Sequence, residues 1–164
     1  MIAHLCDADA CGGGRCAARL QTRGAGWAWG ADVPGKFGWL ACDGGADAQL
    51  AMSVACERGE LLVGYLESYH EAMGAVRVRA SRRGAGAARE LVVDARRADV
   101  HESVFRIARL AGLAGDAAEP WWVTFSPVGP SAAAASGAAP PRRAPNATAR
   151  CHAGKFKLLT LACT

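Results

Sequence analysis

The most informative stretch for the fold runs from Leu61 to Gly74. Leu61, Val63, Tyr65, Glu67 and Tyr69 lie on one side of an extended segment, and Leu62, Gly64, Leu66 and Ser68 on the other. Both sides begin apolar and turn polar, as expected of a central strand that leaves a core and runs into a surface loop. Gly64 and the tyrosines, between Gly59 and Gly74, weigh against a helix. Ala75 to Ala80 then alternates Val76 and Val78 inward with Arg77 and Arg79 outward. This predicts an antiparallel neighbour of the central strand, reached through a short loop.

Strand and turn signals alternate over much of the chain. Trp27 and Trp29 share one face, and so do Phe37 and Trp39 after the Val33-Pro34-Gly35-Lys36 turn. Asp43 to Asp47 turns the chain into Leu50 to Cys56, and Glu57 to Glu60 turns it into the central strand. Beyond the Gly-rich loop Ser81 to Ala88, short strands are predicted at 91–93, 104–108, 120–125 and 154–163. A helix over His101 to Leu113 is the rival reading for one of them. Pro, Ala and Gly dominate from Ser126 to Ala144, so residues 126–150 are expected to form a disordered loop insertion. Residues 1–25 read as a Cys- and Gly-rich leader, and residues 26–164 as the domain. About eight or nine short strands without a convincing helix predict an all-β fold, an antiparallel two-sheet β-sandwich of jelly-roll type.

Composition narrows the function classes. The 164 residues suffice for one core, but much of the 51% hydrophobic content is Ala, which buries little area. No apolar run reaches the roughly 20 residues that span a bilayer. The net charge of +4 is carried mostly by Arg interleaved with Asp and Glu, a solvated face and not a nucleic-acid stripe. Seven Cys and the sequon Asn146-Ala147-Thr148 point to an oxidising, secretory or extracellular setting with Asn146 as a glycan acceptor. Met1 to Leu5 lacks the pattern of a signal peptide, so a signal would lie upstream and the chain would be a fragment; with Met1 as the true start, a cytoplasmic location follows. Cys6, Cys11 and Cys16 are spaced too widely for a zinc knuckle, and no metal or other cofactor is implied. If Gly154 to Cys163 is extended, Cys151 and Cys163 are too far apart to pair, and each must look to Cys42, Cys56 or the leader.

Catalytic patterns are weak. There is no G-x-S-x-G elbow or GDS block, and Ser68 beside His70 lacks an orienting acid. Glu67 and Glu71 have no fixed separation, and His4, His70, His101 and His152 are scattered. Aromatic placement is more suggestive. Of the adjacent Trp121 and Trp122 one must face out of a strand, and with Tyr69, His70 and Glu71 at a strand end it could contact a glycan by ring stacking.

Three blocks carry a resemblance: Lys36-Phe37-Gly38-Trp39-Leu40-Ala41, then Leu62-Val63-Gly64-Tyr65-Leu66-Glu67-Ser68-Tyr69 through Met73-Gly74, then His152-Ala153-Gly154-Lys155-Phe156-Lys157-Leu158. Together they resemble the C-terminal β-rich region of plant and algal proteins whose preceding domain is an SGNH (GDSL-like) hydrolase. Glu67 stands where that family tends to be basic, and Gly154 replaces a His. The resemblance implies a non-catalytic accessory domain, with the serine and the Asp-x-x-His of the hydrolase upstream of it. The partner it implies is the hydrolase domain itself, beside the glycan that the aromatic placement suggests. The alternatives are a stand-alone esterase-like enzyme using Ser68 and His70, and a purely structural interaction module with every Trp buried.

Overall fold

The computed structural model describes residues 2–4, 20–23, 26–41, 48–56, 58–82, 88–99, 101–114, 119–128 and 154–163. Among them the regular structure is entirely strand: β1 (Ile2–His4), β2 (Leu20–Arg23), β3 (Trp27–Val33), β4 (Lys36–Ala41), β5 (Gln49–Val54), β6 (Glu60–Glu67), β7 (Ala75–Ser81), β8 (Arg89–Asp94), β9 (Val104–Ala111), β10 (Trp121–Val128) and β11 (Phe156–Cys163).

These strands form two antiparallel sheets that pack as a β-sandwich. Sheet A has the order β3-β4-β11-β6-β9, with β1 also paired to β11; sheet B has the order β2-β5-β10-β7-β8. From β4 onward the chain doubles back on itself: β4 pairs with β11, β5 with β10, β6 with β9 and β7 with β8. Side chains alternate accordingly. Leu61, Val63 and Tyr65 of β6, Leu158 and Leu161 of β11, Val76 and Val78 of β7, and Val123 and Phe125 of β10 meet in one buried core between the sheets. Trp27 stands edge-on to Phe125, with ring centroids 6.5 Å apart, and Tyr65 stacks on Phe156 at 5.6 Å.

The central strand of the sequence reading is β6, hydrogen-bonded on both edges to β11 and β9. Residues 101–113 contain a strand, β9, and not the rival helix. Three expectations are corrected. First, β6 and β7 are not sheet neighbours: β7 lies in sheet B between β10 and β8. The residues between them do not close a hairpin, because their backbone groups bond to Ala95 and Lys155 and carry the chain from one sheet to the other. Second, the strand begun at Trp121 continues through Ser126, Pro127 and Val128, which pair with Arg77, Val76 and Ala75. Pro127 is tolerated because pairing with β5 has ended at Phe125, so the missing N–H leaves no ladder bond unmade on that side. Third, the leader supplies β1 and β2, one strand to each sheet.

Cys163 at the end of β11 pairs with Cys56, just after β5, across a sequence separation of 107 residues and with Cα atoms 4.7 Å apart. This resolves one of the open pairings and links a strand of sheet A to the segment leaving sheet B. Closing a loop of that length removes about 5 kcal/mol of unfolded-chain entropy in the simplest treatment. Cys6, Cys11, Cys16, Cys42, Cys151, His152, Asn146 and the expected insertion from residue 129 to 150 lie outside the described residues.

Candidate functional site

The segment from Ser68 to Gly74 is held at both ends. Ser68 N donates to Ala95 O at 2.9 Å, and Arg97 N donates to Ser68 O at 3.0 Å. At the other end Gly74 N donates to Lys155 O at 2.8 Å, and Lys155 N donates to Ala72 O at 2.6 Å. Gly74 is required there, since a Cβ would stand 2.8 Å from Gly154 Cα. Ala72 and Met73 are buried beneath the loop, and its tip presents Tyr69 at 48% exposure beside exposed His70 and Glu71.

This geometry separates Ser68 from His70 chemically. Ser68 is 5% exposed, and its Oγ accepts a hydrogen bond from Ser103 Oγ at 2.8 Å. His70 Nδ1 accepts from Ala72 N at 3.1 Å, so its ring is committed to the turn of its own loop. A serine nucleophile needs a nearby ring nitrogen as base, and neither group is turned to the other. Glu67, the carboxylate paired with Glu71 in the sequence reading, is taken by Arg106 at 2.9 Å and Arg97 at 3.4 Å. Arg97 also bonds Asp99, which raises the guanidinium pKa and lowers that of the carboxyl. Burial and the Glu67 charge raise the Tyr65 phenol above its ordinary value.

The tryptophans divide as alternation requires. Trp121 is buried at 6% exposure in the core, whereas Trp122 is half-buried on the outer face of sheet B. Trp121 is therefore not available for stacking. Trp122 does not join the Tyr69 surface either. It pairs across Ser81 at one end of β7, whereas the loop enters β7 at Ala75. Six residues of strand put them roughly 20 Å apart. Trp27 and Trp39 are also buried, so the structural-module alternative with every Trp buried fails only at Trp29 and Trp122.

Two features escaped the sequence reading. Phe37 is 59% exposed and stacks on Trp29 at 6.4 Å, which in turn meets Trp39 edge-on at 6.0 Å. The shared face of Phe37 and Trp39 was legible, but not that β4 enters the core only after Phe37. The second feature is a buried charge cluster on the outer side of sheet A. Lys155 Nζ and Lys157 Nζ each donate to one oxygen of Asp32, and Lys157 Nζ also donates to Lys36 O. Lys157 is 0% exposed. Burial pushes the Asp32 pKa up, but the hydrogen bonds and charges of the lysines outweigh it and hold the carboxyl at about 2. The stem of Lys157 passes over Gly38, where an added Cβ would stand 3.1 Å from Lys157 Cε. The first and third sequence blocks thus meet physically, and Lys155 ties the cluster to the Tyr69 loop through its backbone.

In comparison with known proteins, no family model, no curated protein and no solved structure matches the chain. Its functional reading therefore rests on the site itself and on the three blocks. Among the described residues no group of His, Cys, Asp and Glu is placed to hold a metal ion.

Proposed function

We propose that the chain is a non-catalytic accessory β-sandwich of jelly-roll type that contacts a glycan through the Tyr69-His70-Glu71 loop. The observation that carries this reading is the division of labour within the loop. Ser68 and His70 are bonded to Ser103 and Ala72, whereas the Tyr69 ring stands exposed between groups that can hydrogen-bond hydroxyls. An aromatic face flanked by polar side chains is how a solvated sugar ring is held without being bonded covalently. Pairing of β4–β7 in reverse order with β8–β11 supports the jelly-roll assignment, since such a roll is a long hairpin wrapped into two sheets. The three sequence blocks support association with an SGNH hydrolase domain in a longer protein. The Cys56–Cys163 pair and the Asn146 sequon support a secretory or extracellular location.

The test is calorimetric titration with a panel of oligosaccharides, comparing the wild type with Tyr69→Ala. Saturable binding that falls roughly tenfold or more in the variant is expected for a lost stacking ring. Binding that is absent, or indifferent to Tyr69, would reject the glycan reading. Separately, labelling by a serine-directed phosphonate would revive the esterase alternative, and no labelling is expected.

A further inference from the structure

Strand β9 closes one side of sheet A: among the described residues it is hydrogen-bonded to β6 alone, which leaves its other edge unpaired. Edge strands of soluble proteins are ordinarily blunted by inward charges, proline or bulges. β9 carries one inward-side charge, Arg106 opposite Tyr65, which is bonded to Glu67 at 2.9 Å, but its outer face carries Phe105 at 52% and Ile107 at 53% exposure, and the register with β6 runs unbroken from Val104 to Ala111. Phe105 lies over Gly64, whose added Cβ would meet its ring at 2.8 Å, so this apolar pair is held in place on the outer face.

We infer that β9 pairs antiparallel with β9 of a second copy of this chain, about a two-fold axis passing through Ile107. The side chains select that register. A two-fold perpendicular to the sheet must put a residue opposite itself, so that outer-face positions meet outer-face positions. With Arg106 on the axis, two guanidiniums face each other. With Ala108 on the axis, Ile107 faces Arg109 of the second copy. With Ile107 on the axis, Ile107 meets Ile107, and Phe105 meets Arg109 of the second copy twice over, an apolar contact flanked by two cation–π contacts. Arg109 can make it: its side chain is 70% exposed, and its ion pair with Glu60 is long at 3.8 Å, which in water holds it only weakly. The same register brings Glu102 of one copy opposite Gly112 of the other, the position against which Arg89 Nε lies. Glu102 and Arg89 are both exposed, and among the described residues neither is in an ion pair. The edge is thus complementary to itself in polarity and charge.

Sedimentation velocity of the intact, oxidised chain over a concentration series tests the pairing. A concentration-dependent dimer is expected, and Ile107→Lys, which puts two ammoniums on the axis, should raise its dissociation constant roughly tenfold or more. At concentrations low enough that the wild type is monomeric, circular dichroism and the urea midpoint of that variant should match it, because the side chain is already half in water. The register has its own test. Glu102→Arg and Arg89→Glu should each weaken the dimer, and the double exchange should restore it. A chain that stays monomeric overturns the proposal and leaves the edge to an extended segment of another protein. A dimer indifferent to Ile107→Lys, or a double exchange that restores nothing, overturns it as well.

Discussion

The two sheets treat charge in opposite ways on their outer faces. On sheet B, Arg77 and Arg79 alternate outward from β7, and Arg77 meets Glu90 of β8 at 2.9 Å with both side chains about half exposed. On sheet A the outer positions Leu62, Gly64, Leu66, Phe105 and Ile107 of β6 and β9 carry no charge, the partly exposed pair of Glu60 and Arg109 stands at one end of them, and the charged groups near Asp32 are sunk beneath the surface. A charge that stays in water contributes little whether paired or not, so sheet B can spend Arg freely. A charge taken out of water must be matched by a partner and hydrogen bonds, so Asp32, Lys155, Lys157 and the carbonyl of Lys36 stand or fall together. The charges of sheet B stay in water, and the buried cluster gives sheet A an anchor for the Tyr69 loop.

The sharpest break in that contrast is Asp32→Ala. Leaving two ammoniums without their carboxylate is expected to lower unfolding stability by about 3 kcal/mol, the low end for a broken buried pair because Lys155 retains some access to water. Urea unfolding measures this, and hydrogen exchange at Lys155, whose N–H is bonded to Ala72, should rise with it. Replacing all three by apolar residues of similar size, Asp32→Leu with Lys155→Met and Lys157→Met, should recover most of the loss. If Asp32→Ala is neutral, the cluster is no anchor.

Acid should produce a somewhat smaller effect. The Asp32 pKa is depressed in the folded state, from 3.8 to about 2, so the carboxylate contributes stability above the unfolded pKa and loses it as pH falls through the folded one. Linkage puts this on the order of 2 kcal/mol. The stability gap between wild type and Asp32→Ala should therefore be full at pH 5 and narrow toward pH 2. A gap that stays constant over that range would contradict the assignment.

Gly38→Ala sharpens the contrast at the level of packing. Its methyl would stand 2.9 Å from Leu158 O and 3.1 Å from Lys157 Cε, and an expected loss of about 1–2 kcal/mol reflects the shift of backbone and lysine stem together. Arg77→Ala on sheet B is the counterpart with the smallest effect. Its pair with Glu90 is half exposed, and a change of under about 0.5 kcal/mol in the urea midpoint is expected.

Much of the fold was legible because period-two alternation depends only on which side chains avoid water. β6 and β7 follow from that rule; at β9 the alternation gave the strand but not its buried face, since Phe105 and Ile107 point to water. Pairing was not legible: Ala75 to Ala80 alternates in the same way whether it neighbours β6 or sits across the core from it. The candidate loop was visible as a polar end to an apolar strand, yet the separation of Trp122 from Tyr69 was hidden, because alternation gives the face of a strand and not its place along a sheet. Asp32 was missed for a related reason, since one Asp before a Pro-Gly turn looks solvated until lysines more than a hundred residues later arrive beside it.

By itself the chain determined its class, most of its strands and the buried faces of β6 and β7, because local geometry and the aversion of apolar side chains to water act over a few residues. Which strands lie together, which of seven cysteines meet, and which charges are buried were decided only by the tertiary structure. Those outcomes depend on contacts between residues far apart in sequence, and a contact of that kind leaves no periodic trace in either partner alone.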